Sequence, residues 1–414
     1  MMGMYTAAVR AYGWALWLAA FFHPKARQWS DGRKGWKTKH RQLSSAKGQA
    51  PLLWVHCASL GEFEQGRPVI EAVRQQKPGT KVLLTFFSPS GYELRKSYGG
   101  ADFVVYLPLD TPANAREFLD IWAPDVVVFV KYEFWFNLLK EVQRRGLPLF
   151  LVSGLFRSGQ VFFRPYGKKM LRVLQGFSHL MVQAEASAVL LRGAGVEQVT
   201  VAGDTRVDRV AAIAQQAPVF PLVEAFAGKS AILVAGSTWP EDEAVLLPFI
   251  NAHLPAHWKV IIAPHEIEAA KLMAIEAALD VSCARYSELE KRQSAKEAQV
   301  LLIDNIGMLS ALYRYGRFAF IGGGFKTGLH NTLEPIAFGL PVVFGPKYGK
   351  FEEARYLVAK GGGAVVEDVH RLSQQFKTWE DGQAWQAASA HAKAYIEERQ
   401  GATAIALKFI LPCL

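Results

Sequence analysis

The most constraining feature of this sequence is a regular alternation of short apolar runs with longer, polar-interrupted segments. The runs have strand length and are rich in Val, Leu and Phe: Leu52–Cys57, Val82–Phe86, Val126–Val130, Leu147–Val152, Leu180–Val182 and Val199–Ala202. Segments of helical length separate them, such as Gly66–Gln76 and Asn137–Arg145. Continuous apolar strands alternating with helices are typical of parallel sheets covered on both faces, so the sequence predicts an α/β protein.

A second alternation of the same kind follows a stretch with two prolines at 215–222, which reads as a linker. Its apolar runs are Ala231–Ala235, Lys259–Ala263, Gln299–Ile303, Phe318–Ile321 and Pro341–Phe344. We therefore predict two Rossmann-like, doubly wound domains, 49–218 and 219–414, with a cleft between the carboxyl ends of their strands, where open α/β sheets bind ligands. The final stretch, 383–411, is expected to be helical and to pack back toward the first domain.

Residues 1–48 form a separate amino-terminal segment in this prediction. An apolar stretch at 4–22, with Arg10 as its single charge, precedes a region (23–47) that holds eight basic residues and only Asp31 as an acid. Aromatic residues beside lysines and arginines favour a helix lying in, or shallowly anchored to, an anionic leaflet, with Arg33–Arg41 facing lipid phosphates. The alternative is a buried helix of the first domain.

The charge pattern and the cysteines exclude several other classes. The formal net charge is +10, but most of it lies in that one short region, whereas nucleic-acid binding normally spreads basic residues along a groove. The cysteines Cys57, Cys283 and Cys413 are odd in number and far apart, which argues against a disulfide framework or a zinc site and favours a reducing compartment. With no H-E-x-x-H and no G-x-S-x-G, we expect neither a metal nor a covalent nucleophile.

The clearest chemical signal is the segment 320–346, which reads as strand, glycine loop, helix, turn and strand. Gly322–Gly324 would let the backbone approach a ligand, and the helix that follows would offer N–H groups to an anion. The spacing matches neither G-x-G-x-x-G nor a Walker motif. Asn331 and Glu334 lie one helical turn apart, so Glu334 is a candidate for binding ribose hydroxyls; alternatively it is only a charge at a helix start.

The segment EPIAFGLPVV (334–343) resembles the nucleotide-binding signature of GT-B glycosyltransferases. Six further segments occur in a characteristic order: WVHCASLGEFEQGRPVI (54–70), KYEFW (131–135), VAGDTRVD (201–208), AGSTWPEDE (235–243), IAPHE (262–266) and NIGML (305–309). Together they resemble the 3-deoxy-D-manno-octulosonic acid (Kdo) transferase family. The resemblance implies a GT-B fold and an inverting transfer of Kdo from CMP-Kdo to the lipid A precursor, at the cytoplasmic face of the inner membrane. The donor carries one phosphate, and no metal cofactor is expected.

The same resemblance assigns two carboxylates. Glu62, just after an apolar strand, is similar to the family's catalytic base, which removes a proton from the attacking hydroxyl; the nearby Glu64 does not fall on the motif's acid. The alternative is that Glu62 merely caps a helix starting near Gly66. Glu133 would support the reacting sugar, or else form a surface salt bridge.

Arg206 stands where the family usually has lysine. It is expected to stabilise charge on the leaving phosphate, and the alternative is a surface pair with Asp204 or Asp208. The predicted substrate- and nucleotide-binding residues are Ser59, Gly61, Gly236, Ser237, Thr238, Pro264, His265, Ile306, Gly307, Met308, Gly323, Gly324, Asn331, Thr332, Leu333 and Glu334. His265 replaces an arginine of the family pattern, so its charge would depend on pH.

Two other functions stay open at this point. One is a GT-B enzyme with another donor, such as UDP-N-acetylglucosamine. The other is a non-enzymatic protein that binds nucleic acid or lipid, which only the charge suggests and which its uneven distribution disfavours.

Overall fold

The computed structural model describes residues 2–291, 297–326 and 328–414. They form two compact units, one made of the residues up to Asp208 with Gln400–Leu414 and the other of Arg209–Arg399. Each unit contains one seven-stranded sheet in which every strand pair is parallel. The predicted α/β class with two doubly wound sheets is thereby confirmed.

The strands of the first unit are β1 (Leu52–Cys57), β2 (Lys81–Phe86), β3 (Phe103–Tyr106), β4 (Val126–Val130), β5 (Leu149–Gly154), β6 (His179–Val182) and β7 (Val199–Val201). Those of the second unit are β8 (Ala231–Thr238), β9 (Trp258–Pro264), β10 (Cys283–Arg285), β11 (Val300–Leu302), β12 (Phe318–Ile321), β13 (Val342–Phe344) and β14 (Gly363–Val365).

The helices up to the unit division are α1 (Met2–Ala19), α2 (Pro24–Arg33), α3 (Trp36–Ser44), α4 (Leu60–Gln76), α5 (Pro89–Arg95), α6 (Pro112–Trp122), α7 (Phe136–Arg144), α8 (Lys168–Gln175), α9 (Glu185–Gly193) and α10 (Thr205–Gln216). The later helices are α11 (Pro221–Ala227), α12 (Pro240–His253), α13 (Ala269–Ala277), α14 (Leu309–Leu312), α15 (Leu333–Ala337), α16 (Glu352–Lys360), α17 (Val369–Glu380), α18 (Gly382–Glu397) and α19 (Ala402–Ile410).

The first sheet has the order β3-β2-β1-β4-β5-β6-β7, which reverses direction between β1 and β4. Both strands are buried at every position. Successive residues of β1 enter different cores, because side chains alternate across a strand: Trp54 joins the cluster on one face, and Val55 and Cys57 join the cluster on the other. This two-sided burial explains why these strands read as unbroken apolar runs.

The second sheet has the order β10-β11-β9-β8-β12-β13-β14 and reverses between β8 and β12. A β-bulge shifts the register between β8 and β9 at Gly236–Thr238, and Ser237 there has a φ of 55°. A positive φ is uncommon for a residue with a side chain, so the end of β8 is locally strained.

The division between the units lies after Asp208, earlier in the chain than the predicted 218/219. Most of the predicted linker is ordered in the second unit: α10 runs to Gln216, α11 begins at Pro221, and the Phe220 N–H donates to Tyr315 Oη at 2.7 Å. The final stretch consists of two helices. The second of them, α19, belongs to the first unit and contributes Ala406, Leu407 and Ile410 to its core.

Helix α1 packs one face onto the first unit and exposes the other. Tyr5 Oη donates to Asp110 Oδ2 at 2.7 Å, and Asp110 also accepts the backbone N–H groups of Asn137 (3.0 Å) and Leu138 (2.8 Å). Large apolar side chains of the helix and of the residues just after it are nonetheless exposed, among them Trp14 to 70% and Phe22 to 91%. The helix is therefore attached to the first unit without being buried in it.

The basic segment is only partly available to solvent. Arg33 points inward, where Nε donates to the Leu107 carbonyl (2.8 Å), Nη2 donates to the Phe87 carbonyl (2.7 Å) and the guanidinium lies 4.0 Å from the Trp29 ring centre. Burial lowers the pKa of Arg33 to about 9. The expectation that Arg33 faces lipid phosphates is thus wrong, because its donors are used inside the protein. Lys37 and Arg41 both pair with Glu117.

Within the described residues, no single helix combines the length and hydropathy needed to cross a bilayer; one bent pair, α10 with α11, meets both criteria jointly across an angle of 79°.

Candidate active site

The two predicted catalytic carboxylates lie at the same place in the first sheet. Glu62 follows β1 and Glu133 follows β4, and these neighbouring strands flank the point where the strand order reverses. Connections leave such a point toward opposite sides, which opens a crevice at the carboxyl ends of the strands. The fold therefore brings together two side chains that are 71 positions apart in the printed sequence.

Glu62 is the third residue of α4, which begins at Leu60 and not near Gly66 as predicted. The Ser59 N–H donates to Glu62 Oε2 at 3.1 Å, and Ser59 Oγ donates to the same oxygen. The side chain is only 6% exposed. Glu62 thus has the capping contact that the alternative interpretation proposed, and that contact also fixes the orientation of its carboxylate. The predicted Gly61 is exposed beside it, and a Cβ there would meet Ser59 Oγ at an ordinary 3.7 Å.

Glu133 lies in the short connection between β4 and α7. Burial and the nearby Glu62 charge raise its pKa from 4.5 to about 7. The same two carboxylates add to burial in raising the pKa of Tyr132. Among the described residues, no cation shifts the pKa of Glu133, which argues against the surface salt bridge. Around neutral pH, then, Glu133 holds a proton much of the time while standing close to Glu62.

A buried hydrogen-bond chain holds the Glu133 connection in place, and the motif analysis missed it. Trp135 Nε1–H donates to His56 Nε2 at 3.1 Å, and His56 Nδ1 lies 2.9 Å from Thr85 Oγ1. Because an indole N–H can only donate, Nε2 accepts and Nδ1 carries the ring proton. Burial lowers the pKa of His56 to about 3, so the ring is neutral. A histidine inside an otherwise apolar strand run was the signal available in the sequence.

Arg206 pairs with Asp204, as its alternative interpretation proposed. Its Nε and Nη2 donate to Asp204 Oδ2 at 2.9 and 2.7 Å, and Gln65 Nε2 donates to the same oxygen at 3.0 Å. Burial alone would raise the pKa of Asp204, but Arg206 and these hydrogen bonds outweigh it and hold the pKa below its usual value. Asp208 instead accepts the backbone N–H groups of Gly401 and Thr403, both at 2.6 Å.

The predicted nucleotide-binding residues lie at the carboxyl ends of strands of the second sheet. Gly236, Ser237 and Thr238 end β8 and do not follow it, since the strand runs three residues further than predicted. Thr238 Oγ1 donates to Glu243 Oε1 at 2.9 Å, so its proton is engaged within the protein. Gly236 and Thr238 are buried, and their carbonyls accept the Gly322 and His265 N–H groups, each at 2.9 Å, so half-buried Ser237 is the member of this bulge that a ligand could contact.

The glycine loop approaches the chain's own backbone. A Cβ on Gly322 would lie 2.0 Å from the Ser237 carbonyl oxygen, and one on Gly324 would lie 2.5 Å from the Gly345 nitrogen. The Gly323 N–H, at a φ of 88°, donates to Asp242 Oδ2 at 2.7 Å. These glycines were expected to make room for a ligand. Instead, the space beside them is occupied by the backbone of neighbouring loops.

Asp242 is the acid that organises this loop, although it was not among the predicted site residues. It is fully buried and accepts the N–H groups of Gly323 (2.7 Å) and Trp239 (2.9 Å). Burial raises its pKa, although these backbone hydrogen bonds act in the opposite direction. Its place in the first turn of α12, where acidic residues favour the helix N-terminus, was the signal available in the sequence.

The region Asn331–Glu334 leads into α15, a helix of five residues that starts well after the glycine loop. Asn331 Nδ2 donates to Glu334 Oε1 at 3.0 Å, and the Leu333 N–H donates to Asn331 Oδ1 at 3.2 Å. Burial raises the pKa of Glu334, whereas the hydrogen bond from Asn331 and the positive charge of Arg209 act to lower it. The side chains of Thr332 and Leu333, which were predicted to contact a ligand, are buried.

His265 follows Pro264 at the end of β9 and stacks with two aromatic rings. Its centroid lies 4.4 Å from that of Trp239 and 4.5 Å from that of His330. Trp239 Nε1–H donates to His330 Nε2 at 2.8 Å. Burial and neighbouring positive charge lower the pKa of both histidines, that of His330 to about 4. Both histidines are therefore uncharged at neutral pH, although Lys326 Nζ lies 5.0 Å from the Trp239 ring centre; Trp239 and His330 were not among the predicted residues.

The predicted base-pocket residues follow β11. Ile306 is 90% exposed, Gly307 has a φ of 99°, and Met308 is buried with its Sδ 2.9 Å from Asn305 Nδ2. The exposed Ile306 is the member of this group that a ligand could cover. Among the described residues, no three His, Cys, Asp or Glu side chains are grouped so as to hold a metal ion.

Comparison with known proteins agrees with the motifs. Residues 33–209 match the sequence profile of the family described as 3-Deoxy-D-manno-octulosonic-acid transferase (kdotransferase). Curated proteins named 3-deoxy-D-manno-octulosonic acid transferase are 27% identical to the chain in Bordetella pertussis, over 97% of this chain and 96% of that protein, and 27% identical in Aquifex aeolicus, over 80% and 85%.

Solved structures with a similar fold include UDP-GlcNAc 2-epimerase from Neisseria meningitidis (TM-score 0.61, 14% identity, 87% of this chain and 100% of that one). A glycosyltransferase from Rickettsia africae is also similar (TM-score 0.54, 10% identity, 88% and 99%). At these identities the likeness concerns the fold alone, which is the GT-B fold. On the sequence matches, the chain is similar to the 3-deoxy-D-manno-octulosonic acid transferase family, over residues 33–209 in the family profile and over most of its length in the curated relatives.

Proposed function

We propose that this protein transfers Kdo from CMP-Kdo to a lipid A precursor, lipid IVA, during lipopolysaccharide synthesis at the cytoplasmic face of the inner membrane. The observation that carries the proposal is the pair Glu62 and Glu133 at the switch point of the first sheet, where burial and the Glu62 charge raise the pKa of Glu133 to about 7. A carboxylate beside a carboxyl group whose pKa lies near neutrality is the equipment of an acid–base site.

In the proposed reaction, a hydroxyl of the acceptor attacks the anomeric carbon of Kdo. A new C–O bond forms as the bond to the CMP phosphate breaks, and the phosphate leaves with the bonding electron pair. The hydroxyl proton passes to the Glu62 carboxylate, which Ser59 holds in one orientation. Protonated Glu133 donates a hydrogen bond beside it. A single displacement of this kind inverts the configuration.

The proposal assigns Arg206 to the leaving phosphate. Asp204 accepts hydrogen bonds from Nε and Nη2 of Arg206, which fixes the position of the positively charged guanidinium. A preoriented cation stabilises developing negative charge without first having to reorganise. If this role holds, Arg206→Lys retains more activity than Arg206→Gln.

The second sheet would bind the donor. The bulged backbone at Gly236–Thr238 and the stacked rings of His265, Trp239 and His330 lie at its carboxyl edge. Because those histidines are uncharged at neutral pH, we propose that stacking and backbone hydrogen bonds, more than charge, hold the nucleotide there. No metal and no nucleic acid takes part in this scheme.

A donor such as UDP-N-acetylglucosamine is not supported. The likeness to UDP-GlcNAc 2-epimerases is at 14% identity and concerns the fold, whereas the curated relatives that align with most of the chain are named as Kdo transferases.

The direct test incubates purified protein with CMP-Kdo and tetra-acylated lipid A precursor and weighs the products by mass spectrometry. We expect a mass increase of one or more Kdo residues, unaffected by EDTA. Glu62→Gln should abolish transfer while CMP-Kdo still binds, and Glu71→Gln, on an outer turn of the same helix, should leave transfer intact. Transfer from UDP-N-acetylglucosamine but not from CMP-Kdo would contradict the proposal.

A further inference from the structure

Residues on one face of α1 line two neighbouring cavities. Gly3, Thr6, Ala7 and Arg10 line the first, and Arg10, Gly13, Trp14 and Trp17 line the second. These positions follow the i, i+3, i+4, i+7 spacing of a single helix face. Arg10 belongs to both sets, so the two cavities meet at this side chain.

The cavity toward the end of α1 is apolar and aromatic. It has a volume of about 440 Å³, and Trp29, Trp36 and Leu109 of the first unit line it too. Asn114 and Arg33 also line it, and the Arg33 guanidinium donates to carbonyls inside the protein. The apolar side chains at its mouth, Trp14 and Trp17, are at least half exposed, and the strongly exposed Phe21 and Phe22 continue this surface. The volume lies within the range of about 300–1,000 Å³ usual for small-molecule sites.

The cavity at the start of α1 is cationic and has a volume of about 1000 Å³. The other cations lining it are Arg116 on α6 and Lys140 and Arg144 on α7. Its acid, Glu141, accepts Nε and Nη2 of Arg144 at 2.9 and 2.7 Å, and this bonding to Arg144 leads the effects that lower its pKa to about 2. Glu141 and Arg144 cancel, so Arg10, Arg116 and Lys140 give the cavity its positive charge.

We propose that this face of α1 binds one glycerophospholipid with an anionic headgroup. The headgroup phosphate lies among Arg10, Arg116 and Lys140, and one acyl chain enters the cavity of Trp14, Trp17 and Trp29. A molecule with a phosphate at one end and a hydrocarbon chain at the other matches the order of the two cavities along the helix. Arg10 stands at the junction, where the headgroup meets the chain.

None of the predicted catalytic residues belongs to this site. Glu62, Glu133 and Arg206 line neither cavity. The apolar cavity has room for part of one chain, which suits a phospholipid whose second chain stays in the bilayer better than an acceptor with four chains. The inference needs only the membrane setting of the proposed function and goes beyond Kdo transfer itself.

The experiment titrates the full-length protein in detergent with dioleoyl phosphatidylglycerol and counts bound lipid by native mass spectrometry. We expect one phosphatidylglycerol per chain and much weaker retention of phosphatidylcholine. Arg10→Gln with Lys140→Gln should weaken the 1:1 complex about 25-fold, since each cation near a lipid phosphate contributes about fivefold. The matched control, Lys25→Gln with Lys39→Gln, removes the same charge outside the cavities and should keep the complex.

Three results would overturn the inference. The first is that phosphatidylcholine binds as tightly as phosphatidylglycerol, and the second is that the control variant loses as much binding as Arg10→Gln/Lys140→Gln. The third is that the lipid A precursor displaces phosphatidylglycerol, which would mean that the site binds the acceptor. Kdo transfer by Arg10→Gln/Lys140→Gln in detergent micelles should stay at the wild-type rate. The lipid complex and Kdo transfer are thus measured independently. A variant that loses the lipid complex but keeps transfer, or one that loses transfer but keeps the lipid complex, distinguishes this inference from the proposed function.

Discussion

Replacing Glu133 with glutamine removes a carboxyl group whose proton affinity the fold has changed. Burial, followed by the Glu62 charge, raises the pKa of Glu133 from 4.5 to about 7. One pKa unit corresponds to about 1.4 kcal/mol, so ionising Glu133 in the folded protein costs about 3 kcal/mol more than in the unfolded chain. Glutamine has nearly the same shape and never ionises.

The sign of the effect follows from where the proton sits. Below the unfolded pKa of 4.5, Glu133 is protonated in both states and there is no penalty. Between 4.5 and about 7, the unfolded chain releases the proton first, so the free energy of unfolding falls by about 1.4 kcal/mol per pH unit. Above about 7 the full penalty is present. In Glu133→Gln this decrease in the free energy of unfolding with pH is absent.

The assay is guanidinium chloride unfolding followed by tryptophan fluorescence, at several values between about pH 5 and about pH 8, for both proteins. The difference between them isolates Glu133 from every other titrating group. We expect the variant to gain about 2–3 kcal/mol over wild type across this range. In Glu62→Gln a smaller part of the dependence should disappear, because burial is the larger cause. A wild-type-minus-variant difference that stays flat with pH would refute the reasoning.

Three further predictions rest on single hydrogen-bonded groups. Asp242→Asn weakens the acceptor of the Gly323 N–H, so KM for CMP-Kdo should rise roughly tenfold with a smaller change in kcat, as measured by steady-state kinetics. Trp135→Phe removes the donor to His56 and should lower kcat and alter the pH profile of transfer, at a cost in stability of about 1–2 kcal/mol. Asp208→Ala removes the acceptor of two N–H groups at the start of α19 and should lower the free energy of unfolding by about 1–2 kcal/mol in denaturant titrations.

Two of these variants have a matched control. Trp258→Phe removes an indole donor to Glu380 in the other unit and should leave the pH profile of transfer unchanged; a profile shift of the same size there would show a general loss of stability. Asp368→Ala removes the N-cap of α17 and should cost a similar free energy to Asp208→Ala. An unchanged KM in Asp242→Asn would mean that the glycine loop does not position the donor.

The interior strands could be predicted well because their residues are buried on both faces. Leu52–Cys57 and Val126–Val130 begin and end where the apolar runs do. The strands absent from the prediction, β3, β10 and β14, are all edge strands, with three or four residues each. An edge strand has one neighbour and a partly exposed face, so its residues need not form a long apolar run.

The placement of the candidate site was predicted better than its contacts. A residue that follows an apolar run lies at the carboxyl edge of the sheet, which was enough to place Glu62 and Glu133. The partners of Arg206, the Asp242 contact to the glycine loop and the burial of Thr332 depend on loops that meet through space. The glycines of 322–324 were read as space for a ligand because a sequence does not show which backbone a glycine adjoins.

The order of residues along the chain by itself determined the class of the fold, the number of sheets and the edge at which the chemistry lies, because burial on two faces and the right-handed crossover leave few alternatives. Only the tertiary structure decided how the protons are distributed and which cations remain exposed. Burial and the Glu62 charge raise the pKa of Glu133. The Arg33 side chain points into the protein, whereas Arg10 lies where two cavities meet. Desolvation and Coulomb interactions depend on distances in space, and residues far apart in sequence set those distances.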